Sequence, residues 1–175
     1  MNSRHTNRKT VANILISLLA FIIIVIPVAY YIPYKIHNYR PLLLDIHIGN
    51  LRYIGLVLIA LGTLIISWGY LTFIFLGKGT PFHALPPEKL IIKGLYRYVR
   101  NPIFVGVLFV FFGESILFES TVIIIYMILG TSIYHLILVL FEEPQLRKRF
   151  GDSYFKYCKN VPRWIPRLTP YYEEE

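Results

Sequence analysis

The sequence predicts an all-α, polytopic membrane protein: four transmembrane segments, the last two a tight helical hairpin, then a C-terminal amphipathic helix at the membrane surface. Three observations predict it. Hydrophobic residues fill 55% of the 175 positions and the mean hydropathy is +0.54, too apolar for a soluble domain of this size. Residues 10–34 and 53–77 each give 25 positions without a charge, and residues 120–141 give 22. Roughly 20 apolar residues suffice to cross a bilayer. Finally, with four segments, 15 of the 18 lysines and arginines fall on one side, leaving only Lys35, Arg40 and Arg52 on the other.

The first segment, residues 10–34, follows Arg4, Arg8 and Lys9. Its apolar run exceeds the 7–15 residues of a signal-peptide core, and no small-x-small cleavage site follows it. It reads as a membrane helix. The second segment covers residues 53–77. The third, residues 103–118, has 16 positions and contains Glu114. At about 1.5 Å per residue it reaches roughly 24 Å, short of a hydrocarbon core of about 30 Å. It therefore reads as one arm of a hairpin turning at Glu119-Ser120, with residues 121–141 as the spanning arm. The whole chain, 1–175, reads as one membrane domain, with 1–76 an N-terminal two-helix part and 77–175 the loop, hairpin and tail. The positive-inside rule places both termini and the second loop in the cytoplasm of a multi-pass protein of the cell or endoplasmic reticulum membrane. The +8 net charge is then topology and attraction to anionic headgroups, not nucleic-acid binding. The single cysteine, Cys158, excludes an internal disulfide framework and a cysteine-rich metal site.

Two places on the cytoplasmic side carry unusual sequence. In the loop of residues 77–101, Pro81, Pro86 and Pro87 oppose regular helix, Gly94 turns the chain, and Pro102 suits the first turn of the third helix. The free N–H groups there suit a carboxylate, although Arg97 and Arg100 also fit simple headgroup anchoring. At the end of the fourth segment stand Glu142 and Glu143, expected at a helix C-terminus where they oppose the dipole. One could pair with Arg147 or Arg149; the two together suggest a bound cation. Pro144 is expected to start a new helix whose face Leu146, Phe150, Tyr154 and Tyr157 lies on the inner leaflet. The hairpin brings residues 101–104 opposite Glu142-Glu143 across a small cleft. His135 lies seven positions before Glu142 on its helix, and Glu114 lies on the other arm. As intramembrane ionisable groups, Glu114 and His135 are either functional or hydrogen-bonded to each other.

Gly94, Tyr96, Arg100, Asn101, Pro102, Phe104 and Gly106 follow the pattern Gly-x-Tyr-x-x-x-Arg-His-Pro-x-Tyr-x-Gly. Glu142-Glu143, then Phe150-Gly151, Tyr154, Tyr157 and VPRWIPR complete it. From residue 79 to 167 the chain resembles the isoprenylcysteine carboxyl methyltransferase and phospholipid methyltransferase family of integral membrane enzymes. The resemblance implies an S-adenosylmethionine-dependent methyltransferase with a lipophilic or prenylated acceptor and the lipid bilayer as its partner. By position it implies Gly94, Asn101, Pro102, Ile103, Phe104, Phe109 and Glu142 as cofactor residues. Arg100, Glu143, Glu114 and His135 are the candidate catalytic residues, Arg100 also suiting the cofactor carboxylate. Asn101 replaces the family histidine and Phe104 the tyrosine. Leu138 stands where the prenylcysteine branch has a substrate-contacting arginine, which argues against a carboxylate acceptor. The competing readings are an NADPH-dependent sterol or enone reductase, with a similar Arg-His-Pro-x-Tyr turn, and a non-catalytic membrane protein.

Overall fold

A computed structural model describes residues 15, 16, 19, 21–39, 47–77 and 90–173, and every element among them is helical. The basic N-terminal tail, Arg40 and the proline-rich residues 78–89 lie outside the described residues. Helix α1 (residues 21–39) continues beyond residue 34, where its uncharged run ends. It consists of π turns Phe21–Val25 and Pro27–Tyr31, then α-helix Ile32–Tyr39. Helix α2 is Ile54–Gly77, entered through the 3₁₀ turn Gly49–Tyr53; α3 is Pro102–Leu117 and α4 is Thr121–Ile137. A π turn, Leu138–Glu142, joins α4 to α5, Glu143–Asn160.

The three π turns share one cause. Each ends two residues before a proline: Val25 before Pro27, Tyr31 before Pro33, Glu142 before Pro144. A proline inside a helix lacks an N–H and collides with the carbonyl four residues back. Widening the preceding turn relieves the collision without ending the helix. Thus the N–H of Ile32 reaches the Pro27 carbonyl, and that of Glu143 reaches the Leu138 carbonyl, five residues back in each case.

Residues 118–120 make the expected tight turn between α3 and α4. Glu119 adopts φ +52°, unfavourable for a side-chain-bearing residue. Its carboxylate accepts hydrogen bonds from the N–H groups of Ile48 (2.9 Å) and Gly49 (3.2 Å), so the turn also caps the entry to α2.

Two helical stretches, Gly49–Phe73 and Thr121–Asn160, are long and apolar enough to cross a membrane, and α3 is a shorter apolar helix. Their exposure identifies the solvent. Leu64, Trp68 and Phe75 of α2, and Leu129, Ile133 and Leu136 of α4, are all more than half exposed. A soluble protein would bury such apolar surface; here hydrocarbon must cover it.

The most extensive packing joins α2 to α3. Gly55, Gly62 and Gly69 recur every seven residues on α2; the first two face Gly113 and Gly106, also seven apart, on α3, and Gly69 meets Ile103. A Cβ on Gly62 would lie 2.6 Å from the Gly106 carbonyl oxygen and 2.8 Å from the Val110 nitrogen; one on Gly106 would lie 2.8 Å from the Gly62 oxygen. The backbones therefore touch, the small-residue contact by which helices associate in lipid.

One expectation is overturned here. The face Leu146, Phe150, Tyr154 and Tyr157 of α5 does not lie on a leaflet. Tyr154 and Tyr157 are buried with Val161, and Leu146, Phe150, Leu90, Ile92, Cys158 and Tyr171 pack around them. Amphipathic spacing identifies an apolar face but not whether lipid or protein covers it.

The glycine seam generates a paired test. Gly62→Ala overpacks α2 against α3 and is expected to cost about 1–3 kcal/mol, seen as a lower thermal midpoint in detergent. Gly130→Ala, with nothing within 4 Å of the new Cβ, is expected to be neutral or stabilising by up to ~1 kcal/mol. Equal midpoints for the two variants would contradict the seam.

Candidate functional site

Three separate pieces of chain meet at the start of α3. The first is the entry segment, residues 90–101. Gly94 turns it at φ +57°, packed against Trp68 and Thr72 of α2. A 3₁₀ turn, Gly94–Arg97, follows, and the buried Tyr157 hydroxyl donates to the Tyr96 carbonyl at 2.7 Å. Arg97 donates from Nε to the Ile92 carbonyl (3.3 Å) and lies over the Tyr172 ring at 4.5 Å. Neither Arg97 nor Arg100 is a simple headgroup anchor, since both engage protein groups.

The second piece is the tail after α5, which runs beside the entry segment. The N–H of Arg100 donates to the Pro162 carbonyl (2.9 Å), that of Arg167 to Tyr98 (3.0 Å) and that of Tyr171 to Arg97 (3.0 Å). The Asn101 side-chain amide donates to the Arg163 carbonyl at 3.2 Å. Trp164 packs on Phe104 (5.0 Å between ring centres), Tyr134 (6.2 Å) and His135 (5.8 Å), while Phe104 and Tyr134 stack at 4.2 Å.

The third piece is the junction of α4 and α5. Because the chain stays helical through the π turn, Glu142 and Glu143 are not at a free helix C-terminus, and the expected conflict with the dipole does not arise. Glu143 is 4% exposed. Arg163 grips both its oxygens, Nε to Oε1 at 2.7 Å and Nη2 to Oε2 at 2.9 Å. Arg100 adds Nη1 to Oε1 at 3.0 Å, and the same Nη1 donates to Cys158 Sγ at 2.8 Å. Its hydrogen-bonded partners are thus Arg100 and Arg163 rather than Arg147 or Arg149. Burial pushes the Glu143 carboxyl up, but the Arg163 hydrogen bond and the charges of Arg100 and Arg163 outweigh it and hold the group below the usual carboxylate range.

Between these pieces and α1 lies a cavity of about 520 Å³. Its polar end carries Arg100, Asn101, Glu142, Gln145 and Arg149; its other end is walled by Ile24, Val28 and Ala29 of α1 with Phe111 and Tyr126. Glu142 is the only carboxylate among the described residues that line it. Arg100 Nε is buried and has no hydrogen-bond partner among the described residues. The positive charge of Arg100 at the cavity wall suits an anionic ligand group.

Of the residues named from the sequence, Arg100, Asn101, Ile103, Phe104 and Glu142 line the cavity. Gly94, Pro102 and Phe109 are not among its lining residues: Gly94 makes the turn, Pro102 is buried at the start of α3, and Phe109 is exposed. Of the candidate bases, Glu143, Glu114 and His135 are also absent from the lining. Glu143 is a structural anion held by two arginines. Glu114 is buried near the hairpin turn, its Oε2 without a hydrogen-bond partner among the described residues, and His135 packs on Trp164, so of the two readings the hydrogen bond between them is not made. Sequence reasoning placed Arg163 and Trp164 in the VPRWIPR segment without giving either a role, and it missed Tyr134. The available signal was the surplus of acid at residues 142–143, which required a cation from a distant part of the chain.

The sequence profile of the phospholipid methyltransferase family matches residues 51–153, more than half of the chain. The chain belongs to that family. It is 33% identical over 124 residues to the methanethiol S-methyltransferase of Pseudomonas deceptionensis, covering 68% of this chain and 45% of that protein. It is 35% identical over 86 residues to the protein-S-isoprenylcysteine O-methyltransferase of Schizosaccharomyces pombe, covering 45% of this chain and 34% of that protein. The chain thus spans less than half the length of these curated relatives. No solved structure matches it. The family profile ends before the tail, so Arg163 and Trp164 lie beyond the matched residues.

The ion-pair hub sets a pH-dependent stability. Glu143→Gln leaves two arginines without their anion and is expected to cost about 3–5 kcal/mol at neutral pH. Because the folded-state pKa is lowered, the stabilisation is present above the ordinary value of 4.5 and is lost as pH falls through the lower folded value. Thermal midpoints of wild type and variant should therefore converge as the buffer is taken below pH 4.5. A gap that stays constant down to strong acid would mean that the carboxylate charge is not what stabilises the hub.

Proposed function

We propose that the chain is an S-adenosylmethionine-dependent methyltransferase of the membrane, acting on a lipophilic acceptor. The observation that carries this reading is one cavity lined by both an arginine, Arg100, and a carboxylate, Glu142, in a member of the phospholipid methyltransferase family. The amino-acid end of S-adenosylmethionine has a carboxylate and an ammonium. The Arg100 guanidinium suits the first and Glu142 the second, and such charge-assisted hydrogen bonds are the stronger kind. The volume falls within the roughly 300–1,000 Å³ of small-molecule sites.

When bound, the cofactor supplies an activated methyl group on a sulfonium. The chain's own residues have to bind it, align the acceptor and exclude water. Ile103, Phe104 and Tyr134 give the apolar walls at the polar end. Ile24, Val28, Ala29 and Phe111 form a hydrocarbon-lined recess suited to the apolar part of an acceptor. The relatives are named for methanethiol and isoprenylcysteine, a small thiol and a prenylated cysteine, each with an apolar part suited to such a recess. An NADPH-dependent reductase is not favoured: its larger nucleotide would have to share this cavity, and these relatives are methyltransferases. The charge asymmetry supports a multi-pass arrangement with both termini and the polar end of the cavity on the cytoplasmic face.

Calorimetry on the detergent-purified protein tests the reading. S-adenosylmethionine and S-adenosylhomocysteine should bind and NADPH should not. Glu142→Gln should weaken both sulfur ligands roughly 10- to 150-fold, the value of a charge-assisted hydrogen bond. Unchanged affinities would remove Glu142 from the site, and saturable binding of NADPH alone would replace the proposal with the reductase. Asn101→His retains a donor toward the Arg163 carbonyl and should bind S-adenosylhomocysteine within about tenfold of wild type. Asn101→Leu frees that part of the tail and should lose more.

A further inference from the structure

We infer that Arg163, outside the cavity and beyond the residues the family profile matches, is the positioning residue that keeps the charge of Arg100 available to a bound carboxylate. The inference rests on reading the cavity as the cofactor site. Two guanidiniums share one carboxylate, and they share it unequally. Arg163 takes both oxygens of Glu143 in a two-point grip of 2.7 and 2.9 Å, while Arg100 touches one oxygen with one nitrogen at 3.0 Å. The forked match of guanidinium to carboxylate makes the Arg163 contact the dominant one. The three groups together carry one excess positive charge. It falls on the cavity side, because Arg100 lines the cavity and Arg163 does not. The guanidinium of Arg100 is thus the one of the two that borders the cavity.

The backbone reinforces the arrangement. The Arg163 carbonyl accepts the Asn101 amide, and the adjacent Pro162 carbonyl accepts the Arg100 N–H. Arg163 is therefore held in register with the two residues that it positions. If Arg163 lost its charge, Glu143 would have Arg100 as its only hydrogen-bonded cation. The pair would become neutral, with the Arg100 fork turned toward Glu143 and away from the cavity. A ligand carboxylate would then meet no net positive charge, whereas a ligand without a carboxylate would not register the change.

The test compares S-adenosylhomocysteine with its decarboxylated form, which keeps the ammonium and the nucleoside. Arg163→Gln is expected to weaken S-adenosylhomocysteine by about tenfold or more and the decarboxylated ligand by less than about twofold. Arg163→Lys keeps the charge with a single point of contact and should show the same selective loss at smaller size. Equal losses for both ligands, or none for either, would overturn the inference, because a merely structural role for the tail cannot distinguish them. Should Arg163→Gln not fold, Arg163→Lys decides by the same selectivity. Wild type provides a further measurement: it should prefer S-adenosylhomocysteine over the decarboxylated ligand by about tenfold or more, and equal affinities would also overturn it. Binding of neither ligand by wild type would instead reject the cofactor reading of the cavity.

Discussion

One buried carboxylate holds together parts of the chain that are far apart in sequence. Glu143 leads α5, Arg100 precedes α3 and Arg163 begins the tail, and all three meet within hydrogen-bonding distance. A charge withdrawn from water costs several kcal/mol unless it is paired and its hydrogen-bonding capacity is used. That cost makes the contact selective: any arrangement without both arginines leaves an unpaired buried charge. The positions of the entry segment, the α4–α5 junction and the tail relative to one another follow from it. So do the polar walls of the cavity between them.

The apolar half of the molecule obeys a different rule. Hydrocarbon gives helices no hydrophobic reason to associate, so close backbone approach must do it. The glycines of α2 and α3 provide that approach, and they fix α3 with its Asn101 end at the polar cluster. The hairpin then returns α4 to the same end. Apolar packing thus delivers two helix ends to one place, and the ion-pair hub determines what is built there.

Much of this was legible in the sequence. The uncharged runs, the short third helix and its turn at Glu119 were readable because the dimensions of a bilayer restrict helix length. The meeting of residues 101–104 with Glu142 was readable because a hairpin with so short a turn keeps its two arms adjacent. The covering of α5 was not, since spacing alone cannot distinguish lipid from tyrosines, prolines and valines elsewhere in the chain. The partner of Glu143 was also hidden. Among many surface cations, nothing local to Arg163 marks it as buried against an acid 20 residues earlier. The glycine stripe of α2 was not read from the sequence, since its seven-residue spacing acquires meaning only when the matching spacing on α3 is set against it.

The π turn at Leu138–Glu142 has a consequence for angular register. One additional residue in a helical turn rotates everything that follows by about 100° relative to an uninterrupted α-helix. Glu142 and Glu143 therefore project from azimuths that the apolar stripe of α4 does not dictate, and lipid-facing and site-facing residues can be chosen independently on one continuous rod. Pro144 makes the offset permanent, because a regular turn there would drive its ring into the Leu140 carbonyl. The proline acts as a phase-setter: it fixes which way the acidic pair points without contributing any atom to the cavity itself.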